Sequence, residues 1–234
     1  MTPLIKEAAQ GLAHLLFPQL CAACTRPLLY EEAILCTGCN LNLPRTGYDA
    51  TAENEAAVRF AGRLPFLYAT AFCHFTTDGM LQHLLHRLKY KGDKGMGGYL
   101  GEQLGYSLRE ENWMADVDVI VPVPLHPKKE ALRGYNQSAL IAAGLAKTCG
   151  KALDTTSLIR ARATESQTKK TREERVANVQ DAFAIKNVAP LEGRHILLLD
   201  DVLTTGATLE AAARAVLGIA GTRISLAAIG LAAS

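Results

Sequence analysis

One stretch, LLLDDVLTTGAT at residues 197–208, decides the fold class of this 234-residue chain. The short run from His195 to Leu199 has the length and apolar character of a central parallel strand. The alanine- and leucine-rich run from Leu209 to Ile219 favours a helix, with Thr208 or Thr205 placed to cap it. Asp200 and Asp201 follow the strand, and a turn rich in threonine joins them to the helix. This order predicts a strand–turn–helix unit of an α/β sheet.

The turn carries groups that can bind a phosphate, and acceptors that suit a sugar or a cation. Backbone N–H groups at a helix N-terminus attract an anion, and Gly206 lets the backbone approach it closely. Hydroxyl groups that can donate to the same oxygens belong to Thr204, Thr205 and Thr208. Asp200 and Asp201 suit sugar hydroxyls or a divalent cation. The alternative is an ordinary turn whose helix is capped by Thr205 or Thr208, although adjacent buried carboxylates are costly unless they bind something.

The composition is typical of a globular chain without a strong charge bias. Apolar residues make up 49% and charged residues 21%, which is enough for a full core. The net charge of +2 leaves any attraction to nucleic acid to local patches. No apolar run approaches the roughly 18 residues needed to span a bilayer, so we expect no membrane span. Residues 1–20 have the spacing of an amphipathic helix and not of a signal peptide, so we expect a cytoplasmic protein.

Four of the six cysteines form two Cys-x-x-Cys pairs, Cys21/Cys24 and Cys36/Cys39, with eleven residues between them. Each pair suits a tight turn that aims two thiolates at one point, and two such turns make a tetrahedral Zn²⁺ site. Disulfides and a redox-active pair are the alternatives. A cytoplasmic location disfavours the first, and the duplicated spacing disfavours the second. Four cysteines leave no open position for water, so the predicted zinc is structural.

We expect two domains that meet near residue 50. An N-terminal helix and the four-cysteine zinc module occupy residues 1–50, and zinc supplies much of the folding free energy of a segment too short for its own core. The polar, aperiodic stretch Arg45–Ala61 is predicted to be a linker. Residues 51–234 form the second, larger domain.

The second domain alternates between predicted strands and helices. The predicted strands are 67–75, 117–121, 181–185, 195–199 and 223–231, and the predicted helices are 80–88, 138–149 and 209–219. Asp78 or Thr77 is expected to cap the helix at 80–88. Glycines 95, 97 and 98 are expected to lie in a loop before a helix that ends near Arg109. Repeated βα units predict an open, mostly parallel α/β sheet.

Three basic segments accompany these elements. Residues 89–94 are either a solvated edge or a contact for an anion. The segment after the strand at 117–121 carries Lys128, Lys129 and Arg133, which can neutralise a pyrophosphate or be a solvated loop. The third, residues 158–178, has six cations against three acids and includes Lys169, Lys170, Arg172 and Arg175. It can close as a lid over an anionic ligand, lie on a nucleic-acid backbone, or be solvated.

The stretch at 197–208 closely resembles the phosphoribosyl pyrophosphate (PRPP) motif of type I phosphoribosyltransferases. The resemblance implies that Asp200 and Asp201 contact the ribose 2′- and 3′-hydroxyls. It also implies that the 5′-phosphate is held by Thr204, Thr205, Gly206, Ala207 and Thr208. Purine-salvage members have an aspartate where this chain has Thr204, which argues against hypoxanthine or guanine as the acceptor.

Motifs along nearly the whole chain are similar, in the same order, to those of the ComF family of bacterial competence-associated proteins. The matching residues are Phe17-Pro18, both cysteine pairs, Leu88-Lys89-Tyr90-Lys91-Gly92-Asp93, Pro122-Val123-Pro124, Arg133-Gly134-Tyr135-Asn136-Gln137, Gln167, Arg175-x-x-Asn178 and 200–208. Lys128-Lys129, where the family often has arginine, and Lys169-Lys170, where an apolar residue is usual, depart from it. The resemblance implies a type I phosphoribosyltransferase-like fold preceded by a zinc module.

The family is linked to the uptake of transforming DNA and the use of DNA as a nutrient, and the resemblance implies two functions. In the first, an enzyme binds PRPP with Mg²⁺ and transfers phosphoribosyl to a nitrogen acceptor. In the second, a non-catalytic adaptor binds single-stranded DNA or nucleotides through its basic segments. Its zinc module then recruits a DNA-uptake or helicase-type protein. No residue stands out as a general base, so the sequence leaves both functions open.

Overall fold

In the computed structural model, the described residues are 18–48, 53–160 and 182–233. The chain divides into two compact units, and the boundary between them falls between Leu43 and Pro44. The sequence places this boundary near residue 50. The difference arises because residues 44–46 pair with a strand of the second unit: His74 N–H donates to Pro44 O at 2.7 Å, and Thr46 N–H donates to Phe72 O at 3.0 Å. The predicted N-terminal helix lies outside the described residues.

The first unit is built around two cysteine-bearing turns. Thr25 N–H donates to Cys21 O at 2.9 Å and closes the first turn. Cys36 is the N-cap residue of the short helix α1, Thr37–Leu41. The buried apolar residues here are Cys21, Ala22, Leu28, Leu35, Cys36 and Leu43. So small an apolar set supplies little folding free energy, which a bound metal can supplement.

The second unit contains a five-stranded sheet and a separate strand pair. The strands are β1 (Ala69–Phe75), β2 (Val119–Pro122), β3 (Ala152–Leu153), β4 (Leu158–Arg160), β5 (Phe183–Ile185), β6 (His195–Leu203) and β7 (Arg223–Ala232). The sheet order is β1-β7-β6-β2-β3, and all four pairings are parallel. β4 and β5 form an antiparallel pair. The predicted open, mostly parallel sheet is therefore confirmed.

Helices pack against this sheet and against one another. They are α2 (Glu55–Val58), α3 (Met80–Tyr90), α4 (Lys94–Leu108), α5 (Asn112–Ala115), α6 (Pro127–Arg133), α7 (Gln137–Cys149) and α8 (Ala207–Leu217). α3 packs on β1, α7 packs on β2, β3 and β6, and α8 packs on β5, β6 and β7. Among the described helices, none has both the length and the apolar character needed to cross a membrane.

β6 is the central strand, and its burial decides where the acid pair lies. Residues 196–199 have no exposed surface because β7 and β2 flank the strand and helices cover it. Because both faces of the strand are buried, its residues need not alternate between polar and apolar types. This explains the continuous leucine run. The strand extends through Asp200 and Asp201, further than the sequence predicts. The acid pair is therefore part of the sheet and not of a loose turn.

The predicted linker at 45–61 is wrong over most of its length. Asn54 caps α2 by accepting a hydrogen bond from Ala57 N–H at 3.0 Å. Ala56 and Phe60 are fully buried in the main core. The short α2 buries Ala56 and Ala57 and exposes Glu55 and Val58, so it has too few buried apolar positions for a periodic pattern.

The predicted loop at the glycine cluster is also wrong, since α4 already begins at Lys94. The glycines permit close packing of α4 on α7. A Cβ atom on Gly101 would lie 1.9 Å from Ile141 O, and one on Gly144 would lie 2.2 Å from Gly98 O. The two helices therefore touch through their backbones. The N-cap of α3 differs as well: it is Gly79, with no side-chain hydrogen bond, and neither Asp78 nor Thr77.

We expect Gly101→Ala to lower the free energy of unfolding by about 1–3 kcal/mol, because its Cβ would clash with the backbone of α7. Gly98→Ala is the matched control on the same helix, where a Cβ meets nothing within 4 Å. Since alanine favours a helix over glycine, this control should be neutral or stabilising. Urea denaturation of both variants measures the difference. Equal stability of the two variants would contradict the backbone contact.

Candidate functional site

The turn between β6 and α8 has a conformation that its glycine permits. Gly206 is the N-cap residue of α8 and has a left-handed φ of 81°, which other residues rarely adopt. The predicted caps, Thr205 and Thr208, are wrong because this position requires that conformation. Thr205 Oγ1 still accepts a long hydrogen bond of 3.4 Å from Ala207 N–H. Thr204 and Thr205 are exposed and Thr208 is half-buried, so their hydroxyl groups can reach a ligand.

The two carboxylates of the motif lie inside the protein, near the carboxyl end of β6. Asp200 is 9% exposed and Asp201 is 7% exposed. Asp200 Oδ1 accepts hydrogen bonds from Ser138 Oγ at 3.0 Å and from Asp201 N–H at 2.9 Å. Ser138 lies in the first turn of α7. The contact between α7 and β6 thus fixes the orientation of the Asp200 side chain.

Asp201 has a different partner, Lys89 near the end of α3. Lys89 Nζ lies 2.6 Å from Asp201 Oδ2. The geometry of this contact is that of an ion pair, since the buried Oδ2 accepts no hydrogen bond of good geometry from the described residues. The positive charge of Lys89 therefore compensates the burial of this oxygen, since buried acceptors in folded proteins are normally satisfied.

The acid pair does not carry two full negative charges at neutral pH. Burial, followed by the negative charge of Asp201, raises the pKa of Asp200 to about 7. Hydrogen bonds from Asp201 N–H and Ser138 and the positive charge of Lys89 act in the opposite direction. Hydroxyl donors or a cation brought by a ligand would favour the ionised form.

A cavity of about 220 Å³ joins the acid pair to basic side chains. Its lining consists of Lys89, Tyr90, Val123, Pro124, Leu125, Lys129, Arg133, Gln137, Arg160, Asp200, Asp201 and Thr208. Of the predicted basic loop, Lys129 and Arg133 reach this cavity, whereas Lys128 is exposed on α6 and is not part of the lining. The predicted residues of the basic arm lie outside the described residues. They are Lys169, Lys170, Arg172 and Arg175.

The basic segment after β2 forms a helix, α6, where the sequence predicts a loop. The His126 side chain caps α6 by accepting a hydrogen bond from Lys128 N–H at 3.2 Å. Arg133 ends the helix, donates to Gln137 Oε1, and lies 5.5 Å from the centre of the Tyr90 ring. Because α6 buries no side chain, it has no apolar stripe from which it could be predicted.

One residue of the site, Ser138, was missed by sequence reasoning, because it resembles an ordinary residue of a helix start. Arg160 belongs to the basic segment 158–178, for which an anion contact was one of three interpretations. Lys89 belongs to the basic segment 89–94, whose charge was a signal with two interpretations. The structure pairs Lys89 with Asp201 and places it in the lining of the cavity, so it is part of the candidate site and not a solvated edge.

A larger cavity of about 390 Å³ lies at the edge of the sheet, beside β3 and the starts of β2 and β6. Its charged residues are Asp118, Asp154 and Arg194. The Asp154 carboxylate already accepts hydrogen bonds from neighbouring residues, from Thr156 N–H at 2.7 Å and from Ser157 N–H at 2.9 Å. Ligands of open parallel sheets bind at the carboxyl ends of the strands. The smaller cavity at Asp200 is therefore the candidate site.

The four cysteines of the first unit come together as a candidate metal centre. The Sγ atoms of Cys21, Cys24, Cys36 and Cys39 all lie within 4.8 Å of one another. Cys24 Sγ and Cys36 Sγ are 3.7 Å apart. Sulfurs bound to one tetrahedral zinc with bonds of about 2.3 Å would be about 3.8 Å apart, so the donor set fits.

The charges of the cysteine cluster also suit a cation. Burial raises the pKa of Cys21, but backbone N–H donors that include Cys24 and Cys36 outweigh burial and lower it to about 6. Cys36 N–H lies 3.3 Å from Cys21 Sγ. Burial, with hydrogen bonds among the thiols, raises the pKa of Cys39 to about 12. A second thiolate in the cluster is therefore unfavourable until a cation offsets the charge.

Known proteins resemble this chain over its second unit and beyond. A family model described as a phosphoribosyl transferase domain matches residues 136–231. The DNA utilization protein YhgH of Salmonella typhimurium is 29% identical over 211 residues, which cover 86% of this chain and 91% of the relative. The competence protein ComFC of Bacillus subtilis is 35% identical over 146 residues, which cover 61% of this chain and 56% of the relative.

Solved structures give a weaker likeness. The glutamine PRPP amidotransferase from B. subtilis, complexed with ADP and GMP, has 15% sequence identity and a TM-score of 0.41 over 61% of this chain and 30% of that chain. A likeness at this level carries no argument about function. The predicted phosphoribosyltransferase-like fold is confirmed by the strand order together with the family model.

We expect the pH dependence of stability to report the environment of Asp200. Its pKa is raised from 3.8 to about 7 in the folded protein, so the stability that protonation provides is present below pH 4 and is lost as the pH rises through 7. Relative to Asp200→Asn, the wild type should therefore lose free energy of unfolding between pH 4 and pH 7. Denaturant titrations at several pH values measure this difference. Asp78→Asn, at an exposed carboxylate, is the control, and parallel profiles of wild type and Asp200→Asn would contradict the prediction.

Proposed function

We propose that this protein, which belongs to the ComF family of phosphoribosyltransferase-like proteins, binds PRPP with Mg²⁺ and transfers its phosphoribosyl group to a nitrogen acceptor. We assign the 5′-phosphate to the turn Thr204–Thr208 and the ribose hydroxyls to Asp200 and Asp201. The pyrophosphate is assigned to the basic side chains that line the cavity of about 220 Å³. The motif resemblance and the geometry of the cavity both support this assignment.

The observation that carries the proposal is the set of groups around this one cavity. PRPP has a phosphate at one end of its ribose and a pyrophosphate at the other. Its site therefore needs acceptors for the ribose hydroxyl groups together with groups that bind anions. The cavity has Thr208 from the turn and two carboxylates from β6. Its four cationic residues are Lys89, Lys129, Arg133 and Arg160. Two cations would suffice to balance the carboxylates, so the surplus suits an anionic ligand.

The residues present suit the electrostatics of phosphoribosyl transfer. The bond between the anomeric carbon and the pyrophosphate oxygen breaks, and a bond from that carbon to the acceptor nitrogen forms as the nitrogen gives up a proton. Positive charge develops on the ribose, and Asp200 and Asp201 can stabilise it while they hold the hydroxyls. Lys129 and Arg133 can stabilise the leaving pyrophosphate. Mg²⁺, when bound with PRPP, supplies further charge neutralisation.

The acceptor that this site favours needs little activation. Thr204 occupies the position at which purine-salvage enzymes have an aspartate, and a hydroxyl group is a poor base at neutral pH. An amine whose nitrogen is already nucleophilic does not depend on such a base. The proposal therefore favours a nitrogen acceptor of that kind over a purine base.

The second candidate function is a non-catalytic adaptor that binds single-stranded DNA or nucleotides. The observation in its favour is the surface formed by α6 and Tyr90. Lys128 and Lys129 are exposed on α6, and the side chain of Tyr90, which shares a cavity with Lys129, is 69% exposed. Lysines can contact phosphates, and an exposed tyrosine can stack on a base. In this function the cysteine module recruits a DNA-uptake or helicase-type protein. The names of the relatives refer to DNA utilization and to competence.

For the cysteine cluster we propose structural Zn²⁺. Four thiolates fill a tetrahedral shell and leave no position for a water or a substrate. The small buried apolar set of the first unit supports this role, because metal binding can supply on the order of 10 kcal/mol of folding free energy.

We expect PRPP to bind the wild-type protein only in the presence of Mg²⁺, and Asp200→Asn/Asp201→Asn to weaken binding by at least about tenfold. The physical reason is that hydrogen bonds to charged groups contribute about 1.5–3 kcal/mol each. Isothermal titration calorimetry with and without Mg²⁺ measures the affinity. Asp78→Asn, which alters an exposed carboxylate far along the chain from the motif, is the control.

The outcomes of this titration separate the two candidate functions. Pyrophosphate release in the presence of an amine or a base supports transfer. If the double variant binds PRPP as tightly as the wild type, the assignment of the acid pair is wrong. If the wild type does not bind PRPP but binds a single-stranded oligonucleotide with an affinity that falls steeply with salt, the adaptor is supported.

We expect the purified protein to contain one equivalent of zinc per chain, and Cys36→Ser to lose it, because the remaining three thiolates cannot complete the tetrahedral shell. Elemental analysis by mass spectrometry measures the metal. Cys149→Ser is the matched control, since Cys149 lies outside the cluster. Retention of zinc in Cys36→Ser, or an intact disulfide in place of the metal, would overturn the zinc assignment.

A further inference from the structure

The turn that we assign to the phosphate is held by two arginines that do not line the cavity. Arg59 Nη1 donates to Thr204 O at 2.8 Å, and Arg63 Nη1 donates to Thr205 O at 2.9 Å. Both arginines come from the stretch after α2, which is distant from the turn in sequence. Two consecutive carbonyl groups of the turn are therefore bound by guanidinium groups from the same side.

Each of these arginines is itself held by further contacts. Arg59 Nη2 donates to Ala232 O, at the end of β7, at 2.7 Å. Arg63 Nη1 also donates to Arg59 O at 2.7 Å, and its Nη2 forms an ion pair with Glu210 in the first turn of α8. Arg214 donates to Arg63 O at 2.7 Å and to Glu210 Oε1 at 2.8 Å. The arginines thus connect the turn to β7 and to α8.

A third side chain of the same stretch limits how the turn can move. Phe60, between the two arginines, is fully buried. A Cβ atom on Gly206 would lie only 2.8 Å from Phe60 Cε1. The ring therefore packs directly against the backbone of the turn, and only a glycine fits there.

Because the peptide bonds are trans, the bound carbonyl groups also fix the directions of the neighbouring N–H groups. No cis peptide bond occurs among the described residues, and in a trans peptide the C=O and N–H bonds point in opposite directions. Because Arg59 holds Thr204 O, Thr205 N–H points away from it. Because Arg63 holds Thr205 O, Gly206 N–H points away likewise. Neither N–H donates a hydrogen bond to another residue in the described ranges.

We propose that Arg59 and Arg63 are positioning residues for phosphate binding: they hold two carbonyl groups on one side so that Thr205 N–H and Gly206 N–H face the ligand. The inference rests on the proposed function, which assigns a phosphate to this turn. The charges of the two residues are offset to different degrees. Arg63 pairs with Glu210, a carboxylate that it shares with Arg214, so its charge is partly offset within the protein. Arg59 binds only carbonyl groups among the described residues, so its charge also attracts the phosphate.

The substitution Arg59→Lys separates orientation from charge. Lysine keeps the positive charge, but its ammonium group lacks the planar fork with which one guanidinium binds two carbonyl groups. We expect the affinity for ribose 5-phosphate, measured by calorimetry, to fall by about tenfold or more in Arg59→Lys and further in Arg59→Met. Arg109→Met, which removes an exposed arginine at the end of α4, is the control and should leave the affinity unchanged.

Two further measurements show whether the lost affinity reflects orientation. The melting temperature of Arg59→Lys should stay close to that of the wild type. Nuclear magnetic resonance should show the amide signals of Thr205 and Gly206 shifted in the ligand-free variant. Unchanged affinity and unchanged amide signals in Arg59→Lys would overturn the inference.

The experiment distinguishes failure of the inference from failure of the proposed function. If the wild type does not bind ribose 5-phosphate, the proposed function fails. The ligand-free amide signals then decide the positioning by themselves: signals that move in Arg59→Lys and not in Arg109→Met support it, and signals that move in neither overturn it.

Discussion

The burial of two adjacent carboxylates near the end of the central strand is the constraint on which the rest of the site depends. Removing these groups from water is costly unless partners compensate, and the chain supplies the partners from two helices. Ser138, 62 residues before Asp200 in the sequence, donates to one carboxylate, and Lys89 pairs with the other. The positions of α7 and α3 against the sheet are therefore part of the site's electrostatics and not only of its packing.

The turn that follows the acid pair has two sides with different tasks. Its carbonyl groups face the arginines after α2, and its N–H groups face away from them. The arginines bind the two carbonyl groups, and the two N–H groups donate to no other residue in the described ranges. Under the proposed function, these N–H groups remain as donors for the phosphate. A neutral backbone can then bind an anion because its acceptors are bound elsewhere.

Local patterns in the sequence predicted those features of the structure that depend on residues close together in the chain. The leucine run with its acid pair indicated the central parallel strand, and the spacing of the cysteine pairs indicated a cluster whose sulfurs do converge. Contacts between distant residues had no such signal. Arg59 lies 145 residues before Thr204, in a polar stretch that resembled a linker. Helix α6 buries no side chain, so neither segment shows a periodic apolar pattern. The glycine cluster at the start of α4 resembled a loop, because the close approach of α7 that Gly101 permits has no signal in the local sequence.

That helix contact has a consequence for the acid pair of the candidate site. Where α4 crosses α7, Gly101 abuts Ile141 O and Gly144 abuts Gly98 O, so main chain meets main chain with no side chain between them. Such a junction has no rotamers to adjust, and sliding one helix along the other would open a void or force an overlap. Ser138 lies about one turn before Ile141 in α7. The contact between α4 and α7 therefore fixes the distance of the Ser138 hydroxyl group from the sheet. Substitutions elsewhere in the core can be accommodated by repacking of side chains. A larger residue at Gly101 or Gly144 would instead move Ser138 away from Asp200.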